Sequence, residues 1–404
     1  MLPKVGIFGS STLAAAIIRE LQRLSFELVG LWDQHMKTAV AWCQHFQIPF
    51  PTDSVEVLLQ NQEVDLVFIF APAYFHKEIA TKALAAGKHV ICEPPLGITC
   101  ADNAAIMQQA LYYPTLLTIS TFGLRHTPGF SKLRSILESG QIGAVQSVEV
   151  TVNCGPSAPV GQLPYDWTCI GRLLGGPLFT LVCHIVDLIT FLSGKRAYSV
   201  CGTVRRFQRS PAHFQYDQHM TREDFVSWQM LLEGNIPCTC LVNSNQPGSF
   251  NFRLTISGRE GLVMVDDGVI HVQKSPEFCR ERIGTVLDDR DPAVLPDKSE
   301  LAVGFDYRHP EWVVSGVVDL CSMLKTAFQQ AAERRCFSPD ELQAAGGFVD
   351  CQYARSVCDA IRSSHENRRW MEVSIPLRNN NTASTAQTVL LSLKRFHIAN
   401  SAST

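Results

Sequence analysis

Three groups of residues have types and spacings that can do chemistry. The first is His184, with Asp187 one helical turn later, inside the apolar stretch 176–192. An imidazole titrates near neutral pH and takes a proton from an alcohol that lies within hydrogen-bond reach. His184 is then a base, oriented by Asp187 or working alone. The alternative is a satisfied helix histidine kept for packing. The second group is Gly9-Ser10-Ser11-Thr12-Leu13-Ala14. A dinucleotide site needs a tight turn, close backbone approach to pyrophosphate, and a helix N-terminus facing it. Gly9 supplies the turn, Ser11 stands where a second glycine is expected, and Ala14 takes the third small position. The Cβ of Ser11 crowds an incoming pyrophosphate, although its hydroxyl can hydrogen-bond a phosphate. The third is Asp33, closing the second apolar run. A carboxylate there accepts from ribose hydroxyls and repels a 2′-phosphate, which favours NAD(H) over NADP(H). The alternative is a helix-capping aspartate.

The elements that must position these groups follow from the hydrophobic pattern. Strands are expected at 5–8, 26–32, 65–70, 89–92 and 116–121. Helices are expected from the Gly9 turn to about 24, and at 38–46, 77–86 (closed by Gly87) and 102–112. Strands alternating with helices imply a parallel, doubly wound sheet of the Rossmann type over residues 1–123. After a helix at 130–139 the pattern changes to half-buried strands at 145–152, 198–204, 224–232, 238–244, 252–257, 262–265 and 269–272. These imply an α+β domain over 124–375 with one large, mostly antiparallel open sheet. The stretch 176–192 reads as a helical insertion, 276–304 as a loop, and 311–330 and 339–363 as helices. A Ser/Thr-rich tail at 376–404 reads as flexible.

Composition narrows the classes. The chain has 404 residues, 46% of them hydrophobic, and a net charge of −3. That is enough for two domains with cores, and no basic stripe points to nucleic acid. Fourteen scattered cysteines, including Cys92, Cys100, Cys183, Cys321 and Cys358 in apolar surroundings, imply reduced, buried thiols in a cytoplasmic protein. Cys238-Thr239-Cys240 puts two thiols on one strand face without a second pair at zinc-ligand spacing, so no metal site is expected. The apolar run 13–18 reads as part of the first nucleotide-binding unit rather than a leader, because Arg19-Glu20 interrupts it. No apolar run of 18 or more residues implies a membrane span.

The motifs Val5-Gly6-Ile7-Phe8-Gly9, Val64-Asp65-Leu66-Val67, Pro72-x-x-x-His76 and Ala85-Ala86-Gly87-Lys88-His89-Val90 occur in a telling order. Arg125 with Gly140-Gln141-Ile142-Gly143, then Gly175-Gly176, His184-Ile185-Val186-Asp187 and Ile256-Ser257-Gly258-Arg259-Glu260-Gly261 follow them. Together they resemble the Gfo/Idh/MocA family of NAD(P)-dependent sugar oxidoreductases over residues 3–375. Trp32 and two altered positions look most like that family's metazoan branch, the glucose–fructose oxidoreductase domain-containing proteins.

The resemblance implies a dehydrogenase architecture with the nicotinamide where the two domains meet. It implies a cofactor cradle of Gly9, Ser10, Ser11, Thr12, Leu13, Asp33, Ala71, Pro72, His76, Glu93, Pro94 and Arg125. His76 is either beside the cofactor or a packed histidine at a helix start. Arg125 and Lys132 either bind a polar substrate or are interdomain and surface residues, and Tyr165, Asp166 and Trp167 fall in a loop near substrate. The family's catalytic lysine position holds Pro94. Its Asp and His, four residues apart on one helix face, correspond to Thr180 and His184. Threonine carries no charge and proline neither gives nor takes a proton, so the usual acid–base contribution of about 10² to 10⁴ in rate is forfeited. The prolines at 94 and 95 fix an extended corner, with one bond open to the cis form. Three readings follow: a dinucleotide-binding pseudoenzyme, dimeric through the large sheet and acting by binding or sensing through a protein partner; an active sugar or polyol oxidoreductase using His184; or a scaffold without cofactor.

Overall fold

The computed structural model describes residues 2–154, 167–207, 221–245, 250–266, 268–274, 280–281, 311–334, 342 and 345–374. Short, mostly apolar and mostly buried runs pair side by side into the first sheet. They form Val5–Phe8 (β1), Leu28–Trp32 (β2), Phe50–Thr52 (β3), Leu66–Ile69 (β4), His89–Cys92 (β5) and Thr118–Ser120 (β6). All are parallel, in the order β3-β2-β1-β4-β5-β6. The crossovers are Thr12–Arg23 (α1), Met36–Phe46 (α2), Val55–Gln60 (α3), Ala73–Ala85 (α4) and Cys100–Tyr112 (α5). This is the doubly wound domain expected from the sequence. The short edge strand β3 and helix α3 were not expected. β3 is three residues long with a proline at its centre, so no alternation marks it.

Pro128–Glu138 (α6) leads into the second layer. Its strands are Val145–Cys154 (β7), Ala197–Arg205 (β8), Phe225–Leu232 (β9), Ile236–Asn243 (β10), Phe250–Gly258 (β11), Gly261–Asp266 (β12), Val269–Lys274 (β13) and Arg280–Glu281 (β14). Between β7 and β8 lie Pro177–Thr180 (α7) and Val182–Ser193 (α8). Glu311–Arg334 (α9), Phe348–Asn367 (α10) and Met371–Glu372 (β15) follow. Among the described residues the sheet order is β14-β13-β12-β11-β7-β10-β9-β8-β15, antiparallel except where β7 meets β10. Alternate residues such as Val226, Trp228, Met230 and Leu232 are buried beneath the helices, and their neighbours face outward. The turn at Arg259-Glu260 donates backbone bonds to the carbonyls of Ala144 and Ile142. Gly258 is needed there because any Cβ would strike the Ile142 carbonyl.

Several expectations need correcting. The stretch 176–192 is two helices, broken at Leu181, whose φ of −125° departs from helical geometry. The last helix runs Phe348–Asn367, capped by Gly347 through Asp350, and residues 339–341 of the expected helix lie outside the described residues. Arg280–Glu281 forms a short strand inside the stretch 276–304, the rest of which lies outside the described residues. So do Tyr165, Asp166 and the tail from 376. Cys100 is exposed rather than buried, because it opens α5 and its thiol points to Asp359. The segment Gly171–Ser193 is long and apolar enough to cross a membrane by length and composition, yet 78% of its most apolar window is buried inside the protein.

The helix α9 also departs from the contiguous division at 123. Val317, Val318, Leu320, Cys321, Leu324 and Phe328 pack in one core with Ile17, Ile18, Leu21, Leu31 and Phe68. It therefore covers a face of the first domain. The approach is close enough that a Cβ on Gly316 would collide with the carbonyl of Gly123.

Candidate functional site

The nucleotide crevice is built at the carboxyl ends of β1, β2 and β4. Gly9 has a φ of +110°, and a Cβ there would lie 2.5 Å from the Ala71 amide nitrogen. Only glycine fits both constraints. Ser11 is the N-cap of α1, its hydroxyl accepting from the Ala14 amide at 3.2 Å. The small Ala14 is fully buried. The Ser10 hydroxyl donates to Asp33 Oδ2 at 2.5 Å, and the His35 amide donates to Asp33 Oδ1 at 2.9 Å. Both donors are neutral, so the Asp33 carboxylate keeps its charge for a further partner. Leu13 and Thr12 open α1.

The next rim is made by the segments after β4 and β5. Ala71 is buried, and Pro72 starts α4 as its N-cap. His76, in the first turns of α4, is buried, with Nε2 at 2.7 Å from the Ala71 carbonyl and Nδ1 at 2.8 Å from the Pro95 carbonyl. One ring thus sits between the two rims, and in its neutral form it donates to one of the two carbonyls. Burial holds its pKa below the ordinary imidazole value, against the pull of the two carbonyls and Glu93. Glu93 follows β5, its amide bonded to the Ile69 carbonyl. Pro94 is buried, and the Pro94–Pro95 bond is cis.

The domain joint holds the rest. His184 is buried in the first turn of α8, edge-on to the Phe122 ring at 5.5 Å. Thr180 ends α7, its hydroxyl donating to the Gly176 carbonyl at 3.1 Å. The helix break at Leu181 separates it from His184, so the two do not share one continuous helix face. Asp187 is held by Arg125, whose Nε and Nη2 engage both its oxygens. Burial pushes the Asp187 carboxyl up to about 6, with Arg125 opposing. Burial also works against the charge of Arg125, but Asp187 and Asp350 outweigh it and raise its pKa. At neutral pH the pair is ionic. Lys132 is exposed on α6.

The sequence reading expected the last helix but missed its contacts at this joint. From α10, Asp350 lies 3.5 Å from Arg125 and 3.4 Å from Arg196. Arg355 donates to the carbonyls of Gly97 and Ile98, at 2.8 and 2.7 Å, just beyond the two prolines. Its guanidinium also covers one Phe179 contact at 4.5 Å, next to Thr180. The available signal was an arginine on the apolar stripe of Cys351, Ala354 and Cys358.

The crevice and the joint define a class: two-domain oxidoreductases with an NAD-binding Rossmann domain and a large C-terminal sheet. Residues 3–117 match the oxidoreductase family with the NAD-binding Rossmann fold, and residues 130–264 match the GFO/IDH/MocA C-terminal domain. The chain belongs to the Gfo/Idh/MocA family. It is 32% identical to glucose-fructose oxidoreductase domain-containing protein 1 of Xenopus tropicalis over 378 residues, covering 93% of both chains. It is 29% identical to domain-containing protein 2 of Homo sapiens over 379 residues, covering 93% of this chain and 94% of that one. Among solved structures, levoglucosan dehydrogenase in complex with NADH and levoglucosan superposes with a TM-score of 0.76 at 18% identity, covering 93% of this chain and all (100%) of that one. An oxidoreductase domain protein from Kribbella flavida gives 0.74 at 21% identity with the same coverage.

The crevice fits a nicotinamide dinucleotide. The Gly9 turn, the α1 N-terminus and the Asp33 carboxylate are arranged as such a ligand requires. When bound, the group supplies hydride chemistry.

Proposed function

We propose that this chain is an NAD(H)-binding member of its family whose dehydrogenase centre is degraded, and that it works by binding or sensing rather than by turnover. One contrast carries the reading: the crevice keeps its turn and its carboxylate, while the proton-transfer positions hold Pro94 and Thr180. The neighbouring groups do not compensate. The Thr180 hydroxyl is bonded to Gly176 and the Asp187 carboxylate to Arg125. In this reading Gly9, Ser10, Ser11, Thr12, Leu13, Asp33, Ala71, Pro72, Glu93 and Pro94 face the cofactor. His76 and Arg125 shape the site from behind. Asp33 favours NAD(H) over its 2′-phosphorylated form.

A homodimer through the outer sheet face is part of the proposal. That face carries the half-buried Leu231, Leu241, Leu262 and Met264 beside polar residues, a mixture suited to an interface. Light scattering of the purified chain tests it, and a monomer at micromolar concentration rejects it.

The test of function begins with NADH titration of the purified chain. It continues with NAD(P)+ turnover assays on a panel of sugars and polyols. Saturable NADH binding without turnover is expected. Turnover that His184→Ala abolishes while leaving cofactor affinity unchanged would establish His184 as an active base and overturn the reading. Absence of bound dinucleotide would leave a scaffold. The double change Pro94→Lys, Thr180→Asp is expected to raise any trace activity.

A further inference from the structure

In the sheet order β2-β1-β4, the Gly9 turn leaves from the middle strand. Gln34 comes two residues after β2 ends, and Tyr74 is the second residue of α4, behind β4. Their side chains meet, the Tyr74 hydroxyl donating to Gln34 Oε1 at 3.1 Å. Two strand spacings amount to roughly 10 Å, so this pair bridges the carboxyl end of β1. The bridge is supported from below by a column of aromatic rings. Tyr74 lies 4.6 Å from Phe75, Phe75 lies 5.0 Å from Trp32, and Trp32 lies 6.0 Å from Phe8, the residue before Gly9. Exposure rises along the column: Phe8 and Trp32 are buried, Phe75 is partly buried and Tyr74 is 38% exposed.

We propose that Tyr74 and Gln34 form a clasp on the adenosine half of the dinucleotide, with Tyr74 giving its ring face to the adenine. This rests on the NAD(H)-binding reading above. Ligands of open α/β sheets lie outside the carboxyl ends of the strands, and Gln34 adjoins Asp33, the residue that would take the adenosine ribose. A ring backed by Phe75, which is itself packed on Trp32, loses little freedom on stacking. The hydrogen bond closes the mouth, so the adenosine half must open it on the way in.

The experiment titrates the full-length chain with NADH and with ADP-ribose, for the wild type and for Tyr74→Phe, Tyr74→Leu and Tyr74→Ala. Circular dichroism confirms folding. Tyr74→Leu and Tyr74→Ala are each expected to weaken both ligands roughly tenfold, the size of one base–aromatic stack. Tyr74→Phe keeps the ring and loses the clasp, so it is expected to hold affinity within about threefold and to speed association. If the alanine variant fails to fold, the leucine variant decides. Unchanged ADP-ribose affinity in a folded Tyr74→Leu chain overturns the clasp and leaves the cofactor reading standing. A wild-type chain that binds neither ligand overturns both.

Discussion

Two aspartates in this chain, one just after β2 and one in the middle of α8, are fit for opposite tasks. Asp33, at the crevice rim, accepts from a serine hydroxyl and a backbone amide. Neutral donors orient a carboxylate without cancelling its charge, so it remains attractive to the hydroxyls of a ligand. Asp187, 1% exposed at the joint, is matched by a guanidinium in a bidentate pair. A charge cancelled in that way holds structure together and has little left for substrate. Readiness for a ligand therefore depends on what already neutralises a group, not on its distance from the cleft. In the proposed reading, the same contrast separates the cofactor cradle from the positions of Pro94 and Thr180.

The comparison breaks most visibly at Asp187. Asp187→Ala takes the bidentate partner from the buried Arg125 charge, leaving it Asp350 at 3.5 Å, and is expected to cost about 3 kcal/mol in urea unfolding. The double change Arg125→Met, Asp187→Leu is expected to recover most of that. A single-mutant loss below about 1 kcal/mol would mean the pair is not structural.

At the crevice, Gly9→Ala forces a Cβ onto the Ala71 amide at a positive φ. A loss of about 3 kcal/mol is expected, together with loss of NADH binding. Wild-type behaviour in both assays would show that the turn is less constrained than its geometry.

Between these two regions runs β5, which starts at His89 and leads to Pro94. Burial lowers the His89 pKa to about 4. The folded protein therefore holds fewer protons there than the unfolded chain, whose histidine titrates near 6.5. Its stability contribution is full above pH about 6.5 and is lost as pH falls toward 4, about 2.5 kcal/mol by pH 4.5. Urea midpoints at pH 7.5 and 4.5 measure it, and His89→Gln is expected to flatten the difference. An equal acid loss in the variant would assign the effect elsewhere, for instance to His126, lowered to about 3 by burial and by Arg125.

The smallest effect sharpens the contrast. Asp33→Asn keeps an acceptor for the His35 amide but removes the charge. Stability should change by less than about 0.5 kcal/mol. NADH affinity should fall roughly tenfold, about 1.4 kcal/mol, and NADPH should lose less. Calorimetric titration reads both, and equal losses for the two cofactors would remove Asp33 from the discrimination.

Much of this was legible in the sequence. Local patterns mark β1, β2, β4 and β5, since a buried parallel strand is a short apolar run between turn signals. The Gly9 turn and Asp33 follow from their neighbours. The joint was far less visible, because its bonds span long separations: Arg125 reaches Asp187, and Arg355 reaches Gly97. No periodicity encodes such pairs. The assumed shared face of Thr180 and His184 failed for a related reason. Spacing alone cannot reveal a helix that stops and restarts at Leu181.

The return of α9 to the first domain has a consequence for how the protein is made. Synthesis runs from the N-terminus, and domains commonly begin to fold as they leave the ribosome. Here the parallel sheet is complete in sequence by Ser120, yet the helix that shields one of its flanks ends only at Arg334. During the translation of more than half the chain, the surface around Ile17, Ile18 and Leu21 waits without its cover. A nascent fragment ending near residue 123 is therefore expected to be sticky and chaperone-dependent, and to mature only once the last third of the protein has emerged.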